Sequence, residues 1–306
     1  MQNLKTLLKN ILVIPQITLI KLYFLLERLF ELLLPIKISR TGRNILISKV
    51  DEEYRSIQHK CESGSTVKFN LYTPNEICLF RQKSFSDKEP EMLEWIEEFG
   101  GDGAFFDVGA NIGIYSIYYA KLMKGNVYSF EPSVFNLKQL AKNISINSLS
   151  KQIHIIPNPL SDKGGLAPFI NSNISEGGAL NSFGVTYGFD GNEIENVIEY
   201  SLLGFSLDQM FEIEILTEVP SCIKIDVDGI EHLILSGALE ILQNKICKSV
   251  FIEVNENFKE QSELVERCLT SSGFILREKR RSEYLSKSAA EDFENMSNQI
   301  WVRNGN

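Results

Sequence analysis

Residues 104–116 read AFFDVGANIGIYS, an apolar run that breaks into a turn with glycines at 109 and 113 and an acid, Asp107, two positions before the first glycine. Glycine in such a turn lets the backbone approach a ligand closely. The spacing is G-x-x-x-G, not the G-x-G-x-x-G that brings a pyrophosphate to a helix N-terminus. A carboxylate beside a pyrophosphate repels it; a ligand with an ammonium group and no phosphate gains from it. S-adenosylmethionine, with its ammonium, sulfonium and uncharged adenosyl unit, meets that description better than NAD.

Glu131 ends the next apolar run, in SFEP, 24 residues after Asp107. An acid at that distance, on the end of the following strand, is placed to accept ribose hydroxyl hydrogens. After the third run comes NPLSDKGG (158–165). There Leu160 could lie against an adenine ring and Asp162 accept from its amino group, or the segment could be an ordinary Asn/Asp/Gly turn.

CIKIDVDGIEHL (222–233) holds the densest charge. Period two puts Cys222, Lys224 and Asp226 on one strand face and Ile223 and Ile225 on the other. A lysine inside a central strand needs a partner, because an unpaired buried charge is costly. Asp226, Asp107 and Glu253 are the candidates, and Asp226 at the strand's C-terminal end should face the ligand crevice. A calcium loop built on Asp226, Asp228 and Glu231 lacks the third acidic position and the closing Glu, so no metal is expected. His232 is a second candidate base, though an exposed helical histidine is the default expectation there.

Positioning these groups requires alternating strands and helices. Strands are expected at 104–109, 126–132, 152–157, 222–227 and 249–254, short runs rich in Val, Ile and Phe, as when both sheet faces are covered. Helical patterns lie at 112–124, 133–147, 230–244 and 259–273. This βαβα order predicts a mostly parallel, doubly wound α/β sheet. Late strands at 273–278 and 298–303, with one weak helical stretch between, predict an antiparallel edge hairpin. The interval 164–218 is rich in Gly, Asn and Ser and should include strands near 166–170 and 196–200. Its EGGALNSFG (176–184) is expected to wall the ligand crevice. Before residue 100 the reading is a strand pair at 44–50 and 66–73 and a helix at 89–99, stopped by Gly100 and Gly101.

The chain of 306 residues carries a formal charge of −9, unevenly spread. Residues 1–50 hold eight basic and two acidic side chains, a net +6, and the remainder is at −15. A broad positive field for nucleic acid is therefore missing from the body. Five irregularly spaced cysteines form no C-x-x-C pair and read as small buried hydrophobes in a reducing compartment. Residues 17–36 are very apolar but contain Lys21, Glu27, Arg28 and Glu31, which fall within roughly 120° on a helix. No uninterrupted run reaches the roughly 18 apolar residues usual for a span. An amphipathic helix is expected, flanked by Lys5, Lys9, Lys37, Arg40 and Arg43. It should meet either an anionic membrane surface or protein, its own domain or a dimer partner. A cytoplasmic location follows, peripheral on the inner membrane face if the helix binds lipid.

The order and spacing of GGDGAFFDVGANIG, YSFEP, NPLSDKGG, FSLDQMF, IKIDVDGIE and VFIEVN resemble FkbM-type methyltransferases over about residues 96–303. Asp228 stands where that family usually has Glu, and Pro159 where a small apolar residue is commoner. The resemblance implies a class I methyltransferase (Rossmann-like) sheet, S-adenosylmethionine as cofactor and methylation of oxygen on a sugar or secondary metabolite. It places Asp107, Gly109, Asn111 and Gly113 at the methionine end of the cofactor. Glu131 would hold the ribose, Leu160, Ser161 and Asp162 would border the adenine, and Lys224, Asp226 and Glu231 would stand near the transferred methyl. Three regions are expected: a helical extension 1–43, a small lead-in 44–100 and the cofactor-binding domain 101–306. An NAD-dependent oxidoreductase and a non-catalytic methyltransferase fold are the alternatives.

Overall fold

A computed structural model describes residues 2–33, 40–101, 103–281 and 295–305. The chain divides into two units, one ending at Glu53 and one beginning at Tyr54. Among its described residues the first holds two helices, α1 (Gln2–Leu33) and α2 (Thr41–Asp51). Within it Arg43 pairs with Glu27, and Arg40 with Glu31 at 2.7 Å. Residues 44–50 are thus helical and not the strand expected of them. A short Ile/Val run is ambiguous between the two states. The place it would have taken is filled by β1 (Tyr54–Lys60), which pairs with β2 (Thr66–Tyr72) along its whole length, from Tyr54↔Tyr72 to Lys60↔Thr66. Lys37 and the end of the expected apolar helix, 34–36, lie outside the described residues.

The second unit continues with α3 (Glu76–Lys88) and α4 (Pro90–Phe99). The αβ series follows: β3 (Ala104–Val108), α5 (Ile114–Met123), β4 (Val127–Phe130), α6 (Val134–Ile146) and β5 (Ile153–Ile156). The 164–218 interval contributes β6 (Gly165–Asn171), β7 (Asn181–Phe183), β8 (Ile198–Gly204) and α7 (Leu207–Glu212). Then come β9 (Pro220–Ile225), α8 (Glu231–Ser236), α9 (Leu239–Gln243), β10 (Ser249–Asn255), α10 (Lys259–Ser271), β11 (Phe274–Arg280) and β12 (Met296–Arg303). The helix expected over 230–244 is broken at Gly237, where an added Cβ would stand 2.4 Å from the Ser161 carbonyl. The weak helical stretch before β12 lies outside the described residues.

Seven strands form one sheet in the order β11-β12-β10-β9-β3-β4-β5. β10, β9, β3, β4 and β5 run parallel, and β12 is antiparallel to both its neighbours. This is the class I methyltransferase arrangement, with β3 at the point where the connections reverse direction. Beside it the insertion forms a three-stranded antiparallel sheet, β7-β6-β8, whose short β7 the sequence reading did not include.

Alternation along the central strands sorts the core into two layers. Phe106, Val108, Ile223, Ile225, Val250 and Ile252 join one apolar cluster. Phe105, Cys222 and Phe251 join the other. Both faces are covered, which explains why these strands read as unbroken apolar runs. All five cysteines are free and buried.

Candidate active site

Beyond Phe105, Cys222 and Phe251, period two puts Asp107, Lys224, Asp226 and Glu253 on that same face, at or near the strands' C-terminal ends. Register decides who meets whom: Asp107 is opposite Lys224. The Lys224 Nζ lies 3.1 Å from Asp107 Oδ1 and 3.6 Å from Asp226 Oδ2. It also donates to the Gly109 carbonyl at 2.8 Å. Burial opposes the ammonium charge, but Asp107 and then Asp226 outweigh it, so Lys224 stays protonated above the ordinary lysine range.

Asp107 is fully buried beneath the turn, accepts from Ser116 Oγ at 2.5 Å, and does not line the cavity above. The charge of Asp107 is met by Lys224, and the carboxylate at the turn that faces the cavity is Asp226, 32% exposed.

Above the turn is a cavity of about 330 Å³ spanning the ends of β4, β3, β9 and β10. Ligands of open α/β sheets bind at such a reversal. Gly109, with φ +80°, must be glycine: a Cβ would come 1.8 Å from the Asp226 carbonyl oxygen. The amides of Gly109 and Ala110 both donate to the Phe130 carbonyl, tying the turn to β4. Asn111, at φ +52°, donates from its amide to Glu131 Oε2 and from its side chain to the Gly178 carbonyl, both at 2.8 Å. Glu131 also accepts from the Ser133 amide. Burial pushes its carboxyl up to about 7, against the pull of those hydrogen bonds. Further hydroxyl donors would relieve that penalty.

Of the residues singled out in the sequence, Gly109, Asn111, Glu131, Leu160, Lys224 and Asp226 line the cavity. Gly113 does not. Its positive φ of +82° accompanies close packing, since a Cβ there would meet Leu140 at 2.3 Å. Ser161 is buried, with its amide bonded to the Phe205 carbonyl and its hydroxyl directed to the exposed Asp162. Neither lines the cavity. Glu231 is buried away from it and accepts from the Val227 and Gly229 amides and from Gln261. It holds the 227–229 turn that carries Asp228, and burial raises its carboxyl to about 7. His232 is buried rather than exposed, edge-on to Phe258, and neither ring nitrogen has a partner among the described residues. Burial holds it below the ordinary histidine range, and it too is outside the cavity wall.

The sequence reading missed what α3 and α5 bring. Arg81, Lys88 and Glu89, from α3 and its C-terminal end, line the cavity with Tyr115 of α5. Glu89 receives hydrogen bonds from Lys88 and Tyr115. Burial pushes its carboxyl up, yet the Lys88 charge and these hydrogen bonds hold it below the ordinary range. Glu253 also lines the cavity. Burial and then the charges of Asp226 and Glu89 push its carboxyl well above the ordinary carboxylate range. The signal for α3 was Asn75 before Glu76, a capping residue that accepts from the Cys78 amide.

The 175–181 loop closes one wall as expected, with Ala179, Leu180 and Asn181 in the lining. Asp228 accepts from the Leu180 amide at 2.7 Å and the Asn181 amide at 3.2 Å. Asn136 and Arg81 hold Gly177. Among the described residues no group of three or more His, Cys, Asp or Glu side chains could hold a metal ion.

The cavity fits S-adenosylmethionine on its own features. The buried Glu131 carboxylate suits vicinal ribose hydroxyls, Pro132, Pro159 and Leu160 offer an apolar wall for a base, and the Gly109–Asn111 turn leaves room for the amino-acid end. The model of the methyltransferase FkbM domain matches residues 107–284. No curated protein matches. Among solved structures, the chain is similar to the methyltransferase FkbM of Methylobacillus flagellatus, at 14% identity and TM-score 0.45, over 67% of this chain. It spans only 44% of that protein's length. It is also similar to TYW2 of M. jannaschii in complex with AdoMet, at 15% identity and TM-score 0.39, over 81% of this chain and 86% of the other. The precorrin-6y methyltransferase of Geobacter metallireducens is similar at 12% identity and TM-score 0.39, over 68% and 84%. With the family model covering more than half of its length, on a class I sheet with a fitting cavity, this chain belongs to the FkbM family of S-adenosylmethionine-dependent methyltransferases.

Proposed function

We propose that the protein O-methylates a hydroxyl of a sugar, glycan or other polyhydroxylated small molecule. The observation that carries this reading is Asp226, whose carboxylate faces the cavity at the end of β9, with Glu253 at the end of β10 in the same wall. S-adenosylmethionine supplies a methyl group made electrophilic by its sulfonium. A hydroxyl oxygen becomes a competent nucleophile as it sheds its proton, and a positioned base contributes typically 10²–10⁴-fold. Asp226 takes that proton and Lys224 keeps Asp226 oriented, with the Glu253 carboxyl in the wall beside them. The strand order separates the two jobs. Glu131 on β4 serves the cofactor, and Asp226 and Glu253 on β9 and β10 serve the acceptor, with β3 between β4 and β9.

A second cavity, of about 510 Å³, supports a polar acceptor. It shares Arg81, Lys88, Leu180 and Phe189 with the first and adds Asn173, Asp190, Asn192 and Glu193. Amides and carboxylates beside an aromatic ring suit a polyhydroxylated ring. Labelled-methyl transfer to a panel of sugars and glycosides tests the reading, with Asp226→Asn alongside. That variant should bind S-adenosylhomocysteine within a few-fold of the native protein and transfer methyl at least about 100-fold more slowly. Native turnover by Asp226→Asn would remove Asp226 as the base.

A further inference from the structure

The helical unit before Tyr54 has an unusual surface. On α1, Leu19, Ile20, Leu22, Phe24, Leu25 and Leu26 are all exposed. At 100° per residue Leu25, Leu22, Leu26 and Leu19 fall within about 120° on a face free of charge, and Ile20 and Phe24 lie in the sector that holds Lys21, Glu27, Arg28 and Glu31. On α2 no residue is buried, and Ile45, Leu46, Ile47 and Val50 add to the exposed apolar surface. A helix with a wide exposed apolar face beside a charged sector is built to lie in the plane of a membrane interface. A second copy packing on one side would leave the remaining faces in water.

The charges are arranged accordingly. Glu27, 3% exposed, is turned onto Arg43 of α2, and Glu31 onto Arg40, so both acids of residues 1–50 are neutralised inside the unit. The unit as a whole, residues 1–53, keeps a net charge of +3, with eight basic and five acidic side chains. Ion pairing of this kind is what lets charged side chains enter a low-dielectric medium, and a basic excess favours an anionic surface. No helix among the described residues is long and apolar enough to cross a membrane. The 11 residues of α2 reach only about 16 Å, roughly half of a hydrocarbon core. We infer that the α1–α2 unit is a monotopic anchor that seats the enzyme in one leaflet of an anionic membrane.

Flotation of the full-length protein on liposomes tests this, because bound protein rises while aggregated protein sinks. Vesicles of phosphatidylcholine with 30% phosphatidylglycerol should carry the protein upward, and pure phosphatidylcholine should carry less. The variant Leu25→Asp/Leu29→Asp alters two exposed side chains, 57% and 49% accessible, that lie one turn apart. It should lower the floated fraction at least tenfold, with unchanged circular dichroism and S-adenosylhomocysteine binding. Failure of the native protein to float on anionic vesicles, or equal flotation of the variant, overturns the inference. A lipid-independent dimer that the same variant dissociates would assign these faces to a second copy instead. None of these outcomes depends on the acceptor assignment.

Discussion

Asp107→Asn separates two roles that the sequence alone ran together. In the structure Asp107 neutralises Lys224 at 3.1 Å, and both side chains are at most 2% exposed. Removing one member of a buried pair leaves the other uncompensated and costs about 3–5 kcal/mol. Lys224 keeps Asp226 at 3.6 Å and the Gly109 carbonyl at 2.8 Å, which places the loss near the lower end, about 3 kcal/mol. For a domain of this size that is a fall in Tm of about 6–12 °C. The double variant Asp107→Asn/Lys224→Met removes both charges with little change of volume and should recover most of the loss. Urea denaturation of the native protein, Asp107→Asn, Lys224→Met and the double variant gives the coupling energy directly, and calorimetry with S-adenosylhomocysteine gives affinity in parallel. Asp107→Asn should bind within a few-fold of the native protein wherever it is folded. If it keeps native stability and loses cofactor affinity, Asp107 touches the cofactor and the pairing argument is wrong. If the double variant recovers nothing, the ion pair is not the source of the cost.

Two further results follow from the turn and its acid. Glu131, raised to about 7 by burial, must be ionised to accept hydroxyl hydrogens. Affinity for S-adenosylhomocysteine should therefore hold above pH 7 and fall, approaching tenfold per unit, as pH drops toward 5.5. Glu131→Gln should bind more weakly with that pH dependence flattened, and an unchanged profile in the variant would assign the titration elsewhere. Gly109→Ala places a Cβ 1.8 Å from backbone, whereas Gly113→Ala places one 2.3 Å from the end of a leucine side chain that can turn. Both incur the left-handed backbone cost of about 1–2 kcal/mol. Only Gly109→Ala should lose well over 3 kcal/mol or fail to fold, and equal stabilities in urea would contradict the close approach.

Local pattern was enough to determine the central architecture. Short runs apolar on both faces, alternating with helical periodicity, set out β3, β4, β5, β9 and β10 within a residue or two. Period two placed Asp107, Lys224 and Asp226 on one face. It also put Glu131 at a strand end, where it lines the cavity. Which carboxylate meets Lys224 was a matter of register between strands more than a hundred residues apart, and no local pattern encodes that. The same holds for Gly113, whose partner is Leu140, and for His232, which reads as an exposed helical residue until α10 and Phe258 cover it. Residues 44–50 carry a β-branched run that reads as a strand, and the helix at 76–88 has little periodicity to announce it. In both places pairing and packing elsewhere in the chain override propensity. The wall of the cavity built by α3, α5 and β10 was the least legible part. Arg81, Lys88, Glu89, Tyr115 and Glu253 come from three separate segments, α3 with its C-terminal end, α5 and β10, and a cluster of charges held together only by folding has its chemistry decided by tertiary structure, through burial and mutual distance.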